Sequence, residues 1–547
     1  MAPSEPAAPA VASPQPPNGG AHPSARLAKS AGIIGSATLT SRVLGVVRDQ
    51  VLAYLFGAGN SMDAFNVAYR IPNLMRDLFA EGAMSSAFVP TFTRRLTQQG
   101  KASAWHLGNQ LINALVIVTG VLVLIGIIFA RPLTEAIAGE FAAVPEKLEL
   151  TVTLTRILLP FLTLLAVAAA LMGMLNSLNR FFTPALSPAM FNVGILISAV
   201  VFVPLAPRFG FDPIIGIALG AMIGGLGQIA LQVPALRHEG YRYRPVLNPF
   251  DPGLREILRL IGPGTFAGAA LQINLLVNTI LATGEGTGAV SWLGYAFRVM
   301  YLPIGLFGVS IATATLPAVS RYAAQDELTG IRQTVSRALR MMLMLTVPAL
   351  VGLIVLADPI VALIFERGSF TSADTASTAA ALAFYAPGLV GYATVRICLP
   401  CFYALKDSLT PTLVSITSVA LNIALNLILV KSMGYRGLAL GTSIAALVNA
   451  GLLYYLLRRR LGGLETPRVV LAFAKISVAA VLMGAAALGV HIWLVNLWPD
   501  NALIARLVRV AASVGSGLIV LIISSRFLQI HEWNQAQRRL MSHLSLH

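Results

Sequence analysis

The sequence predicts an all-α polytopic membrane protein: about fourteen transmembrane helices, set as two parallel-repeat six-helix lobes around a central cavity, with two further helices behind them. Three observations carry this. Apolar stretches of membrane-crossing length recur along the chain, an internal repeat relates its two halves, and basic residues crowd alternate turns. The composition agrees, with 56% hydrophobic and 11% charged residues in 547 and a mean hydropathy of +0.75. Ordinary soluble domains are about 25% charged.

Residues 1–25 are rich in Pro, Ala and Gly, without an apolar run or a basic leader, and are expected to form a disordered cytoplasmic tail. Two helix-length segments follow at about 28–56 and 62–95, charged enough to score poorly on hydropathy. Clear apolar runs then fall near 104–130, 150–177, 185–205, 211–235, 258–282, 303–320, 340–365, 376–404, 409–431, 436–457, 469–495 and 503–525. Each approaches the length of about twenty residues that crosses a bilayer core as a helix. The expected units are a first lobe at 26–240, a second at 241–462, two extra helices at 463–528 and a cytoplasmic C-terminal tail at 529–547.

With the N-terminus inside, the turns returning to the cytoplasm hold most of the Lys and Arg, among them Arg94, Arg95, Lys101, Arg180, Arg237, Arg321, Arg337, Lys406, Arg458, Arg459 and Arg460. The opposite turns hold Glu135, Glu140, Glu146, Glu285 and Asp500. This asymmetry follows the positive-inside rule and puts both termini in the cytoplasm. It also accounts for the net charge of +16 without nucleic acid, because the cations are spread among turns and not massed on one soluble face.

Laid on itself at an offset of about 227 residues, the chain brings Val89-Pro90 over Leu316-Pro317, Arg94 over Arg321, Ala130-Arg131-Pro132 over Ala357-Asp358-Pro359, and Thr183-Pro184 over Thr410-Pro411. A shift by one residue lays Arg70 on Arg298. Six spans separate the copies, so they share one membrane orientation. Two such lobes suggest a transporter with its site between them.

The first two spans carry Arg42, Arg48, Asp49, Asp63, Arg70, Arg76, Asp77 and Glu81. An Arg at mid-bilayer costs roughly 2.5–3.5 kcal/mol even on a lenient scale, so these groups must face protein or water. Arg42 and Asp49, seven residues apart, share a helix face, as Asp63, Asn66 and Arg70 do on the next. Structural ion pairs between helices are one reading, strongest for Asp49 and Asp77. The excess of Arg over acid favours the other: a net positive cavity that grips the phosphate or diphosphate of a cargo through planar guanidinium groups. Cys398 and Cys401 lie in an apolar stretch with no second Cys/His cluster, which suits buried packing better than a metal site.

The run Ser41-Arg42-Val43-Leu44-Gly45, Arg48-Asp49, Phe56-Gly57-Ala58-Gly59, Asp63-Ala64-Phe65, Pro72-Asn73-Leu74 and Phe79-Ala80-Glu81-Gly82-Ala83 closely resembles the signature of the MurJ/MviN lipid II flippases. The likeness continues through Asn176-Ser177-Leu178-Asn179-Arg180-Phe181, Val290-Ser291-Trp292, Phe402-Tyr403-Ala404-Leu405-Lys406-Asp407 and Thr410-Pro411. The resemblance implies membership of the multidrug/oligosaccharidyl-lipid/polysaccharide transporter superfamily, residence in the bacterial inner membrane, and flipping of lipid II to the periplasmic leaflet by alternating access. It assigns substrate contact to Arg42, Arg48, Arg76 and Arg298, with Asp63 and Glu81 as the acids beside them and Arg70 and Arg396 in support. The two extra helices would form the groove for the polyprenyl tail. Membrane lipids and proteins of cell-wall synthesis are the implied partners.

Two departures stand out: Asp77 where a relative has Arg, and Phe297 where some have Asp. Some relatives also have a cation site in the second lobe. Its nearest counterparts for a monovalent cation here are Asn274, Asn278, Asn422, Asn426 and Thr442, none of them a carboxylate. A hard cation prefers at least one charged oxygen, and interhelical hydrogen bonding is the alternative use of these amides. No other cofactor is expected. Competing functions are a polysaccharide-lipid flippase or a drug/cation antiporter of the same superfamily, the latter wanting an acidic cavity. An integral-membrane polyprenyl-phosphate enzyme would need convergent acids or histidines, and the seven His are scattered.

Overall fold

The computed structural model describes residues 23–76, 87–305, 309–500, 502–530 and 532–533. Every regular element among the described residues is helical. The first half runs α1 (Pro23–Phe56), α2 (Asn60–Arg76), α3 (Val89–Ile128), α4 (Ala130–Ala138), α5 (Lys147–Leu158), α6 (Phe161–Ser177), α7 (Phe182–Leu186), α8 (Ala189–Val201) and α9 (Ile214–His238). The second runs α10 (Pro252–Thr283), α11 (Ala289–Pro303), α12 (Val309–Ala324), α13 (Leu328–Val355), α14 (Ala357–Phe365), α15 (Ser372–Tyr385), α16 (Gly388–Ala404), α17 (Leu409–Met433) and α18 (Tyr435–Leu461). Two long helices follow, α19 (Thr466–Leu497) and α20 (Leu503–Phe527).

Proline and glycine set the breaks. Pro160 and Pro387 stand at the starts of α6 and α16, where the missing N–H and the ring end continuation from the preceding helix. Gly100, at φ +81°, kinks α3 between its polar first turns and its apolar remainder. Asp251 caps α10 by accepting from the N–H groups of Gly253 and Leu254, and Thr371 and Asp374 form a reciprocal cap on α15.

The duplication is visible in these boundaries. At the 227-residue offset α4 falls on α14 and α6 on α16, residue for residue. Asn179 and Lys406, equivalent positions just past α6 and α16, both take the left-handed conformation at φ +59°. Eight helices among the described residues are long and apolar enough to cross a membrane, and the bent pair α15 and α16 makes nine. The other expected crossings fall on α1, α2, α8, α10 and α12, while α11 lies between the expected runs 258–282 and 303–320, outside any expected crossing.

Three buried clusters define how the halves meet. One is shared, joining Leu52, Met62, Phe65 and Leu154 of the first half to Tyr295, Met300, Phe365, Phe370 and Leu382 of the second. Its residues lie toward the turns that carry Glu135, Glu140, Glu146 and Glu285. At the opposite end, beside the arginine-rich turns, lie two separate cores. Phe88, Phe92, Trp105 and Met174 pack with the start of α10, while Val319, Met342, Cys398, Cys401 and Phe402 form the other. The halves therefore share a core at the acidic end, while at the basic end only the start of α10 crosses to the first half, through Leu254, Ile257 and the pairs Arg94–Glu256 and Arg95–Asp251. Behind the second half, α19 packs along α13 through Val347, Ile476, Ala479 and Ala480.

Candidate functional site

The helices α1 and α11 carry the first group of charges across the boundary between the halves. Asp49, 7% exposed, uses a single oxygen, Oδ1, to accept from Arg48 Nε at 3.0 Å, Arg48 Nη2 at 2.7 Å and Arg298 Nη1 at 2.7 Å. Arg48 Nη1 donates to Asn192 Oδ1 at 2.9 Å, and its guanidinium lies 5.5 Å from the Phe191 ring centroid. Asn192 in turn donates to the Ser41 carbonyl, so α8 holds the inner face of α1 in register. The Arg298 side chain keeps 39% of its surface and remains available to a ligand.

One carboxylate thus faces two guanidinium groups, and the trio carries one uncompensated positive charge. Seven residues along each helix, Arg42 lies against Gly305, so close that a Cβ added there would collide with Arg42 Nη1. Arg42 is exposed and makes no hydrogen bond or ion pair among the described residues. Asp49 with Arg298 and Arg42 with Gly305 form successive rungs, about 10 Å apart by helix rise. Asp49 makes the interhelical ion pair, and that pair neutralises only part of the charge.

The remaining predicted residues divide. Arg70 Nε donates to Thr279 Oγ1 at 3.1 Å, which again joins the halves. Arg396 donates to the Tyr301 hydroxyl and sits 5.6 Å from that ring centroid. Phe297 packs edge-on against Tyr385 and Tyr392, lining this region with aromatic surface where some relatives carry charge. Arg76 is the last described residue of α2, and Asp77 and Glu81 lie outside the described residues.

Asp63 is placed elsewhere. It is fully buried at the acidic end, where Oδ2 accepts from Lys147 Nζ at 3.0 Å and the Gly288 N–H at 2.7 Å. Oδ1 accepts from the Ser291 N–H at 3.1 Å and hydroxyl at 2.7 Å. The carboxylate therefore clasps the start of α11 to α2, away from the arginine trio. Lys147, 3% exposed and 4.0 Å from the Phe141 ring centroid, was not singled out by the sequence reading. It opens α5 just outside the apolar runs, next to Glu146, and nothing in its spacing points at Asp63. Asn192, Thr279 and Tyr301 were missed for a similar reason, since each is one polar residue in an apolar helix.

The second-lobe amides do converge. Asn426 Nδ2 donates to Asn278 Oδ1 at 2.5 Å and Asn422 Oδ1 at 3.2 Å, and Asn422 Nδ2 reaches Thr442 Oγ1 at 3.5 Å. Asn274 is half-buried, with its Oδ1 buried and unpartnered. Asn426 Oδ1 is likewise buried and unpartnered. A neutral N–H2 group lies between the two oxygens that a cation would bridge, and no carboxylate joins the cluster.

An apolar groove of about 360 Å³ runs between α13, α19 and α20, lined by Met344, Pro348, Gly352, Met483, Gly517 and Leu521. Pro303 at the end of α11 also borders it, so the groove reaches the helix that carries Arg298. Ile530 and Trp533 close one end, and beside them Glu532 pairs with Arg340 at 2.7 Å.

Comparison with known proteins gives a consistent likeness. A family profile described as lipid II flippase MurJ matches residues 52–509. A probable lipid II flippase MurJ of Vibrio cholerae is 37% identical over 438 residues, covering 79% of this chain and 83% of that protein. A solved structure of a lipid II flippase MurJ in an inward closed conformation superposes with a TM-score of 0.73 at 27% identity, covering 90% of this chain and 99% of the other. An inward-facing multidrug-resistance MATE transporter of the MOP superfamily superposes at 0.64 with 18% identity, over 80% of this chain and 99% of that one, a likeness of fold.

Proposed function

The chain belongs to the MurJ family of lipid II flippases, and on that premise we propose that it moves lipid II from the cytoplasmic to the periplasmic leaflet of the bacterial inner membrane by alternating access. The observation that carries the reading is the Arg48–Asp49–Arg298 trio, in which cations from both halves share one carboxylate oxygen and retain a net positive charge. A diphosphate has oxygens for several guanidinium donors and can displace Asp49 from Arg298 without leaving the arginine unpaired. Arg42 adds a third donor one rung nearer the basic end. Arg70, Arg76 and Arg396 support the head, and Glu81 balances charge as it is released.

Alternation is supported by where the halves touch. They share a core at the acidic end, and at the basic end only the start of α10 joins the first half, which supports a cavity that opens toward the arginine-rich turns. By the positive-inside rule that end is cytoplasmic, as are both termini in the fourteen-span arrangement. Cargo entering there meets Arg42 first, then Arg298. Rocking of the lobes must break the Asp63 clasp to open the other side. The groove beside α19 and α20 suits the polyprenyl tail, since its lining is almost wholly apolar and it borders α11. No bond is made or broken, and no cation step is invoked for the amide cluster. Lipids of the bilayer and proteins of cell-wall synthesis are the natural partners.

The test is reconstitution of the full chain in proteoliposomes with labelled lipid II, paired with rescue of cells depleted of their own flippase. Wild type is expected to expose the label and restore growth. The variants Arg42→Glu and Arg298→Glu are expected to insert normally and do neither. Full activity of both charge reversals would eliminate the proposed diphosphate site.

A further inference from the structure

A second basic pocket, of about 610 Å³, lies between α12 and α13 at the basic end of the second half, lined by Thr315, Arg321, Tyr322, Gln325, Thr334 and Arg337. Among the described residues no acidic side chain lines it. Arg321 and Arg337 are exposed and make no ion pair or hydrogen bond among the described residues. The internal repeat shows how unusual this is. Arg94, the counterpart of Arg321, is paired with Glu256, and the counterpart of Arg337 is Gln110, fully buried and bonded to His106 at 2.9 Å. The first half has neutralised or omitted both charges, whereas the second presents both in one recess.

The placement of this recess on α13 gives it a direction. Thr334, Arg337, Ala338 and Met341 line it, and Met344, Leu345, Pro348 and Gly352 line the apolar groove. These positions recur every three or four residues and form one continuous helical face. A basic recess therefore leads into an apolar channel along a single stripe, with about 22 Å from Arg337 to Gly352 by helix rise.

We propose that Arg321 and Arg337 form a docking site for the head of a polyprenyl diphosphate, occupied before the head passes to the Arg48–Asp49–Arg298 trio, with the chain already in the groove. Two free guanidinium groups with no carboxylate match the multiple charge of a diphosphate better than the single charge of a phospholipid phosphate. The inference rests on the reading of the groove as the tail site. Its own content is that head capture takes place on α12 and α13, outside the central trio.

Undecaprenyl diphosphate is the probe, titrated against the purified full chain in nanodiscs, with a photo-cross-linking side chain at Thr334 reporting the recess. Arg321→Gln/Arg337→Gln is expected to weaken binding roughly tenfold or more, on the scale of charge-assisted bonds, to lose the cross-link and to keep the melting temperature. Arg321→Lys/Arg337→Lys should recover part of the affinity. Arg48→Gln/Arg298→Gln should lose flipping and keep the cross-link. An unchanged cross-link and affinity in Arg321→Gln/Arg337→Gln would overturn the docking site and leave the flippase reading standing. Displacement of the probe by equimolar phosphatidylglycerol would also overturn it, by making the recess a general lipid-headgroup site. A wild-type chain that cross-links the probe as expected and flips nothing would support the docking site while removing the transport reading.

Discussion

Replacing Asp63 with Asn should both loosen the first lobe and open the acidic end, and the structure separates the two effects. Within the first lobe, Lys147 is 3% exposed and has Asp63 as its carboxylate partner at 3.0 Å. Stripping a buried ion of its partner costs roughly 3–5 kcal/mol, since the remaining charge stays desolvated. That amounts to roughly two to four powers of ten in an equilibrium constant. Between the lobes, the same carboxylate accepts from the Gly288 N–H and from the N–H and hydroxyl of Ser291. Ser291→Ala removes the hydroxyl's bond to Asp63, together with the bond that the hydroxyl accepts from Asn66 Nδ2, and leaves the Lys147 pair alone. A bond to a charged acceptor contributes about 1.5–3 kcal/mol, or roughly ten- to hundredfold in the closed-to-open ratio. A cysteine at Ala58, 4% exposed at this contact, reports the opening through labelling by a membrane-impermeant maleimide. Ser291→Ala should speed labelling with little change in melting temperature, and Asp63→Asn should speed labelling and lower the melting temperature. Adding Lys147→Met to Asp63→Asn should restore the melting temperature and leave labelling fast. Unchanged labelling in both single variants would refute the clasp.

Four other outcomes follow from the same coordinates. Arg298→Lys keeps the charge but loses the planar fork, so lipid II flipping in proteoliposomes should fall at least about tenfold while insertion and Asp49 pairing persist. Gly305→Leu places side-chain atoms where Arg42 Nη1 now lies, and should impair growth rescue far more than its effect on melting temperature would explain. Asn426→Asp introduces a carboxylate into the amide cluster. Its melting temperature should rise in sodium chloride relative to choline chloride, where wild type shows no difference. Gly517→Leu pushes carbon atoms toward Met483 and Ala487 in the apolar groove and should weaken binding of undecaprenyl diphosphate, measured by titration, without changing that of inorganic diphosphate.

What could be read from the sequence is what repeats or what is costly. The duplication was legible because Pro132 and Pro359, or Pro184 and Pro411, recur at one offset, whereas the expected runs 150–177, 340–365 and 376–404 pass through breaks after Leu158, Val355 and Tyr385. The arginines of α1 and α11 were legible because charge inside an apolar helix demands a reason. Partnerships were not. Arg48 and Arg298 could be named as cavity cations, yet their meeting on one oxygen of Asp49 depends on the antiparallel register of helices about 250 residues apart, which no local pattern encodes. Asp63 shows the sharper limit. Its spacing from Asn66 and Arg70 puts it on the same helical face, but a face extends the length of the helix, and position along it decides whether the group meets cargo or a neighbouring lobe. Asn66 donates to Ser291 and Arg70 to Thr279, both in the second half, so the whole stripe lies at the seam between the lobes. One stripe can therefore serve two tasks, a clasp where the lobes touch and a cation-lined surface where they part, and a rocking transporter needs both on the helices that separate.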